Sequence, residues 1–261
     1  MIELTTLQST PTYLIAIITL VLILVLYNVG YRTRIWVLKN NPDQSTIELS
    51  AINGTLLGLL GLLLAFTFSM ASARFDTRRQ LIIEEANDIG TVILRTDIYP
   101  DSVRKVLRIN LKQYVEERIT FYQVGMDLEK ALLHYNKADS IGKLVWSTVA
   151  NYAKADNITT RTSEIIPALN AMIDITTTRR AAGEATIPDS IMYFLFSLCF
   201  CSAFLLGYDN KHKKIDRIVL VGFALMLSIT VYMIIDLDRP RSGLINMDKP
   251  NQKMVELLDM F

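Results

Sequence analysis

Four uncharged stretches divide the chain, and each is long enough to cross a lipid bilayer as an α-helix. They cover residues 4–31, 50–73, 190–208 and 218–235. A helix needs roughly 20 mostly apolar residues to cross about 30 Å of hydrocarbon. The pattern therefore predicts an all-α membrane protein with four transmembrane helices, arranged as a first hairpin in residues 1–73 and a second hairpin in 190–236.

The first stretch could instead be a secretory signal peptide. No Lys or Arg precedes it, and the segment Tyr27-Asn28-Val29-Gly30 offers no small-residue cleavage site after the apolar core. We therefore expect a retained transmembrane helix.

Residues 74–189 form a large insert between the second and third stretches. The insert carries many charges of both signs and no long apolar run, so we expect a water-exposed helical domain. Apolar spacing predicts one amphipathic helix between Pro100 and Gly125, with Asp101 or Ser102 as its N-cap. Weaker spacing over 126–154 and over 162–182, ended by Gly183, predicts two more helices, and 237–261 is a C-terminal tail. The apolar stripe of the first helix consists of Val103, Val106, Leu107, Leu111, Tyr114, Val115, Ile119 and Tyr122.

The second stretch carries small residues at three- and four-residue spacing. Such a stripe is typical of close helix packing, but it or the flank with Leu62 and Phe66 could also face a pore. The helical pattern then continues without a proline up to Pro100, so we expect one long helix. The small residues are Gly54, Gly58, Gly61, Ala65, Ser69 and Ser72.

Three arginines, Arg74, Arg78 and Arg79, follow the second stretch at the expected water interface. They could concentrate anions near a conduit. For any one of these arginines, we favour anchoring of the helix at the interface or pairing with Asp76 and Glu84.

The fourth stretch ends in two carboxylates, an arginine and a proline. We interpret Asp236, Asp238, Arg239 and Pro240 as a structural clasp that fixes the exit of the helix. The alternative is cation coordination by the two aspartates, which i,i+2 spacing on a continuing helix disfavours because the side chains point apart.

Charge and composition exclude several function classes. The chain of 261 residues has 27 Lys and Arg against 26 Asp and Glu, a net charge of +1, which argues against nucleic acid as a partner. The two cysteines, Cys199 and Cys201, lie in an apolar run, and His134 and His212 have no ligand-spaced partners. With no nucleophile motif or nucleotide fingerprint, we expect no enzyme, no cofactor and no metal site.

Several short motifs carry a resemblance to a known family. Gly61-Leu62-Leu63-Leu64-Ala65-Phe66, followed by Arg74-Phe75 and Arg78-Arg79, resembles the second span of bestrophins. The run from Glu84 to Gly90 and the run from Asp236 to Ile245 are similar to bacterial tetraspan membrane proteins of the bestrophin-like family. That bacterial resemblance covers most of the chain.

The resemblance implies a homopentameric anion channel whose second spans line a neck with bulky apolar side chains. It places Leu62 and Phe66 in the neck, and Gly58 where a third large residue would be expected; Ser69 follows on the small-residue stripe. It further implies lipid and inorganic anions as partners, self-association, and residence in the bacterial cytoplasmic membrane. Because an acidic cluster is missing, we predict no calcium gating.

The sequence leaves the orientation in the membrane and the function open. The two short loops hold most of the Lys and Arg near the membrane, which favours an insert outside the cytoplasm, whereas the bestrophin topology places it inside. The alternative function is a non-conducting membrane module whose helical insert senses a signal or binds a partner. A transporter is disfavoured because the spans lack charges near their midpoints.

Overall fold

The computed structural model describes residues 9–40, 50–125, 127–155, 159–210, 217–239, 244–245 and 247–261. Throughout these ranges the regular secondary structure is helical, which confirms the all-α prediction. Within these ranges eight α-helices follow one another, with short 3-10 turns at Thr96–Ile98 and Leu257–Met260. They are α1 Thr12–Asn40, α2 Ser50–Arg95, α3 Asp101–Gln123, α4 Leu128–Ala155, α5 Thr159–Glu184, α6 Asp189–Tyr208, α7 Arg217–Asp238 and α8 Asp248–Glu256.

Four of the segments are long and apolar enough to cross a membrane, and they contain α1, α2, α6 and α7. The prediction of four spans is thereby confirmed, with differences at the ends. Helix α1 continues nine residues beyond the predicted end at Tyr31, and α7 continues to Asp238. Helix α2 extends as one continuous helix to Arg95, close to the predicted limit at Pro100.

The chain divides into two compact units. The first unit comprises Met1–Ala73 and Thr186–Asp238, and the second comprises Arg74–Ala185 and Arg239–Phe261. The first unit therefore contains α1, the first half of α2, α6 and α7. The second contains the rest of α2, together with α3, α4, α5 and α8.

In the first unit, α1 and α6 approach each other at two glycines. A Cβ added to Gly30 would fall on the carbonyl oxygen of Phe204, and a Cβ added to Gly207 would fall on that of Tyr27. Both contacts are with backbone, which cannot move aside as a flexible side chain can. The crossing therefore requires glycine on both helices.

The second unit is a helical domain with an apolar core. Helices α2, α3, α4 and α5 each contribute a buried stripe, and the C-terminal residues Met254 and Leu257 complete the core. The C-terminal tail is thus partly helical and packed, although the sequence pattern assigned it no element. Fully buried core residues include Ile89, Ile93, Leu107, Leu111, Val115, Val145, Ile165 and Leu169.

Two local predictions in the insert were wrong. The N-cap of α3 is Pro100, not Asp101 or Ser102, because the extended backbone of this proline directly precedes the first helical residue. Val106, predicted to lie on the buried stripe, is 48% exposed. Helix α5 accommodates Pro167 and ends at Glu184, one residue after the predicted stop at Gly183.

Candidate pore-lining face of the second helix

The four predicted pore-lining residues share one uncharged face of α2. Gly58, Leu62, Phe66 and Ser69 are all exposed in the single chain, and the exposed fractions of Leu62 and Phe66 are 53% and 58%. At about 100° of rotation per residue, the four positions fall within about 80° of one another. The structure therefore brings them together on a face that is open in the subunit.

The buried side of the same helix segment lies opposite this face. Asn53, Leu60, Thr67 and Ala71 are buried, and they lie about 140–180° around the helix from Leu62. The Asn53 amide donates a hydrogen bond of 2.9 Å to the Asp209 carboxylate at the end of α6. These contacts determine which side of α2 packs against the rest of the first unit.

Further residues of the exposed face were not predicted to line the pore, among them Thr55 and Leu59. Thr55 and Leu59 are exposed and lie within about 60° of Leu62. The sequence interpretation included Leu62 and Phe66 beside the small residues, but it did not extend the pattern to positions 55 and 59, whose spacing from 58, 62, 66 and 69 places them on the same face. We call the set Thr55, Gly58, Leu59, Leu62, Phe66 and Ser69 the open face of α2.

An apolar groove borders the open face within the first unit. It has a volume of about 290 Å³ and is formed by α2 and the start of α6. Phe66 contributes to both the groove and the open face. The groove is lined by Leu63, Phe66, Thr67, Met70, Ser190, Ile191 and Phe194.

The three interfacial arginines have different surroundings. Arg78 is buried and donates hydrogen bonds to the carbonyl oxygens of Ala182 at 3.0 Å and Ala185 at 2.6 Å. Arg79 is exposed and pairs with Asp76 at 3.9 Å, whereas Arg74 is half-buried. Arg78 therefore binds carbonyl groups at the end of α5, whereas Arg74 and Arg79 retain exposed side-chain surface.

The residues of the predicted clasp lie at the end of α7. Asp236 and Asp238 are buried, and Asp238 accepts a hydrogen bond of 2.9 Å from the Ile187 backbone N–H. Arg239 is half-buried, and Pro240 lies outside the described residues. Within the described ranges, no three His, Cys, Asp or Glu side chains cluster in a way that could hold a metal ion.

The sequence profile of the bestrophin-like domain matches residues 16–249, which is nearly the whole chain. The chain belongs to the bestrophin-like family. This confirms the resemblance seen in the motifs around α2 and at the end of α7. A search of curated proteins gives no match.

Solved structures similar to this bestrophin-like chain come from a bacterial bestrophin homologue of Klebsiella pneumoniae. One crystal structure of it, phased on zinc, is 14% identical, with a TM-score of 0.66 over 93% of this chain and 98% of that one. Two single-residue variants of it give TM-scores of 0.69 and 0.71 at 15% and 14% identity, each covering 94% of this chain. At such low identity the likeness shows the fold.

The bestrophin-like chain also contains a buried charge network that the sequence analysis did not find. In the second unit, Glu85 of α2 accepts hydrogen bonds from Arg118 Nε of α3 and Arg179 Nη1 of α5, both at 2.5 Å. The three side chains are 0%, 1% and 6% exposed. Burial raises the pKa of Glu85, but the charges and hydrogen bonds of the two arginines outweigh it, and the pKa is lowered.

Aromatic and amide groups complete this network. Arg118 Nη2 donates to the Tyr122 hydroxyl at 2.9 Å, and the Arg179 guanidinium lies 3.4 Å from the centre of the Tyr122 ring. Arg179 Nη2 donates to the Asn251 side chain of α8 at 2.9 Å. The network therefore joins four helices of the second unit around one carboxylate, which we call the Glu85 network.

Proposed function

We propose that this bestrophin-like protein assembles as a homo-oligomer, a pentamer, whose α2 helices line an ion-conducting pore in the bacterial cytoplasmic membrane. The observation that carries the proposal is the open face of α2. This face is uncharged and exposed, and it lies opposite the side that packs within the first unit.

The composition of this face differs from that of the exposed surface of α1. The exposed side chains of α1 are bulky and apolar, such as Ile17, Val21 and Val25, which suits contact with lipid tails. The exposed side of α2 also has bulky residues, Leu59, Leu62 and Phe66, but it adds glycines and the hydroxyl groups of Thr55 and Ser69. Small and hydroxylated residues favour helix–helix contact or water over lipid.

The three glycines on the exposed side of α2, of which Gly58 belongs to the open face, pack against no other described part of the subunit. A Cβ built on Gly54, Gly58 or Gly61 meets no described atom within 4 Å. The packing of one chain therefore does not require glycine at these positions. Close approach between neighbouring subunits or a wide conduit would require it, and both follow from a ring of identical subunits around one axis.

A preference for inorganic anions is the finer part of the proposal. The open face has no charge of its own, so selectivity would come from fixed charges near its end. Arg74 and Arg79 are the accessible cations there, although Asp76 partly compensates Arg79.

The pore assignment is tested with purified protein in liposomes, after native mass spectrometry has established the number of subunits. Phe66→Ala removes a large side chain from the open face, so we expect a several-fold change in ion flux. Phe68→Ala is the matched control, because Phe68 is also exposed, at 42%, on the same helix but about 160° away from Phe66. Equal flux in both variants and the wild type would refute the assignment.

Ion selectivity needs a separate measurement, the reversal potential in a gradient of potassium chloride. A reversal potential close to the equilibrium potential of chloride supports anion conduction. A reversal potential close to the equilibrium potential of potassium would be consistent with a pore but would overturn the anion preference.

The second candidate function is a non-conducting module that binds a partner through its insert. Exposed Leu132, Leu133 and Leu144 on α4 favour this reading. Oligomeric protein that conducts neither chloride nor potassium in liposomes would support it over the pore.

A further inference from the structure

A small, partly open cavity lies in the second unit between α3, α4 and α5, and the exposed side chains of Asp139 and Lys143 form part of its lining. Its volume is about 20 Å³, which is room for a single water-sized particle. Most polar groups around it are hydrogen-bond donors or cations: Tyr114, Arg118, Tyr135, Lys143 and Thr176. The carboxylate of Asp139 also lines the cavity and is engaged by Lys143 Nζ at 2.7 Å.

Tyr114 gives the first indication of a missing ligand. Its side chain is 2% exposed, and its hydroxyl has no hydrogen-bond partner among the described residues. Buried hydroxyl groups in native proteins are nearly always hydrogen-bonded, because an unpaired polar group is costly away from water. A small ion or molecule in the cavity that accepts a hydrogen bond would satisfy the Tyr114 hydroxyl.

Arg118 gives the second indication. A guanidinium has five N–H donors, and the hydrogen bonds of Arg118 to Glu85 and Tyr122 use two of them. Its guanidinium carbon also lies 5.3 to 6.0 Å from the ring centres of Phe121, Tyr122 and Tyr135. Two buried guanidiniums, those of Arg118 and Arg179, share the single buried carboxylate of Glu85. The Glu85 network therefore has an excess of one positive charge next to the cavity.

We propose that the cavity binds one small inorganic anion, of the size of chloride, held by the Tyr114 hydroxyl and the Arg118 guanidinium. A water molecule would accept the hydrogen bond from Tyr114 but would leave the excess charge uncompensated, whereas an anion does both. The site lies entirely within the second unit and does not depend on conduction along α2.

The test uses the purified full-length protein in detergent. Thermal unfolding is followed in sodium chloride and in sodium gluconate at equal ionic strength, so that general salt effects cancel. We expect chloride to raise the unfolding midpoint of the wild type. Tyr114→Phe should need about tenfold more chloride for the same rise, as expected for the loss of one hydrogen bond to an ion.

Tyr99→Phe is the matched control, because Tyr99 is also buried in this core but does not line the cavity. It should retain the chloride response of the wild type. An equal response of the wild type and Tyr114→Phe would overturn the proposal.

Crystals of the wild type grown in sodium bromide give an independent answer if the variant does not fold. The anomalous signal of bromide is expected in the cavity. Density of a water molecule alone, without anomalous signal, would overturn the anion site.

Discussion

Glu85→Gln tests whether one buried carboxylate holds the helices of the second unit together. The substitution preserves the size of the side chain and removes its charge. Arg118 and Arg179, 1% and 6% exposed, then lose their buried counter-ion. The glutamine amide has one oxygen and one NH₂ group in place of the two carboxylate oxygens. When its oxygen accepts a hydrogen bond from one arginine, its NH₂ group faces the guanidinium of the other.

The expected loss follows from the cost of an uncompensated buried charge. Breaking a buried ion pair on one side typically costs about 3–5 kcal/mol. For a protein of this size, each kcal/mol lowers the unfolding midpoint by about 2–4 °C, which gives a decrease of roughly 6–20 °C. The neighbouring Glu84 is exposed, so Glu84→Gln should change stability by less than about 0.5 kcal/mol.

Tryptophan fluorescence can follow each unit separately. The chain has two tryptophans, of which Trp36 lies in α1 and Trp146 in α4. Trp36→Phe, at a 65% exposed position, leaves Trp146 as the reporter of the second unit. If Glu85→Gln and Glu84→Gln then unfold at the same temperature, the Glu85 network does not stabilise the unit and the reasoning fails.

The effect also has a defined pH dependence. Since the pKa of Glu85 is lowered in the folded protein, its charge stabilises the fold fully above the unfolded pKa of about 4.3. The stabilisation is lost as the pH falls through the lower folded pKa. The difference between wild type and Glu85→Gln should therefore persist from pH 7 to pH 5 and shrink only in stronger acid.

Two further substitutions test the packing of each unit. Gly207→Ala places a Cβ on the Tyr27 carbonyl and 3.0 Å from the Tyr27 Cα. It should destabilise the first unit by about 1–3 kcal/mol. Gly222→Ala is the control and should not destabilise the unit, because a Cβ at that position meets no described atom within 4 Å. Equal unfolding midpoints of Gly207→Ala and Gly222→Ala, followed by Trp36 fluorescence, would contradict the close crossing of α1 and α6. Arg78→Gln removes the donors to two α5 carbonyls and should cost about 1.5–3 kcal/mol. Arg79→Gln at an exposed position is its control, and equal Trp146 midpoints would contradict the role of Arg78.

The four spans and the long α2 could be predicted because they depend on local patterns. Uncharged runs of sufficient length and the lack of a proline between Ser50 and Arg95 determine these helices before any tertiary contact is known. The approach of α1 and α6 could not be predicted in the same way. Gly30 and Gly207 are far apart in sequence, and only the fold shows that each lies against a backbone carbonyl.

The Glu85 network left a signal in the sequence that is easily overlooked. Glu85 follows Ile82 by three residues and precedes Ile89 by four, so it lies on the apolar stripe of the helix. Arg118 likewise follows Val115 by three, and Arg179 follows Ile175 by four. A charge on an apolar stripe predicts a buried ion pair, but spacing alone does not identify which charges meet.

Helix α2 is held differently in its two halves. In the first unit its buried residues Asn53, Leu60, Thr67 and Ala71 are seven or four residues apart, so only a narrow line of the helix packs within the subunit. In the second unit, buried residues recur at almost every turn, including Ile82, Glu85, Ala86, Ile89, Val92 and Ile93. A substitution on the open face therefore changes little within the subunit and, under the proposed function, reports on assembly and conduction. A substitution on the buried stripe of the second half reports on folding. Phe66→Ala and Glu85→Gln, although on one helix, should affect separate properties of the protein for this reason.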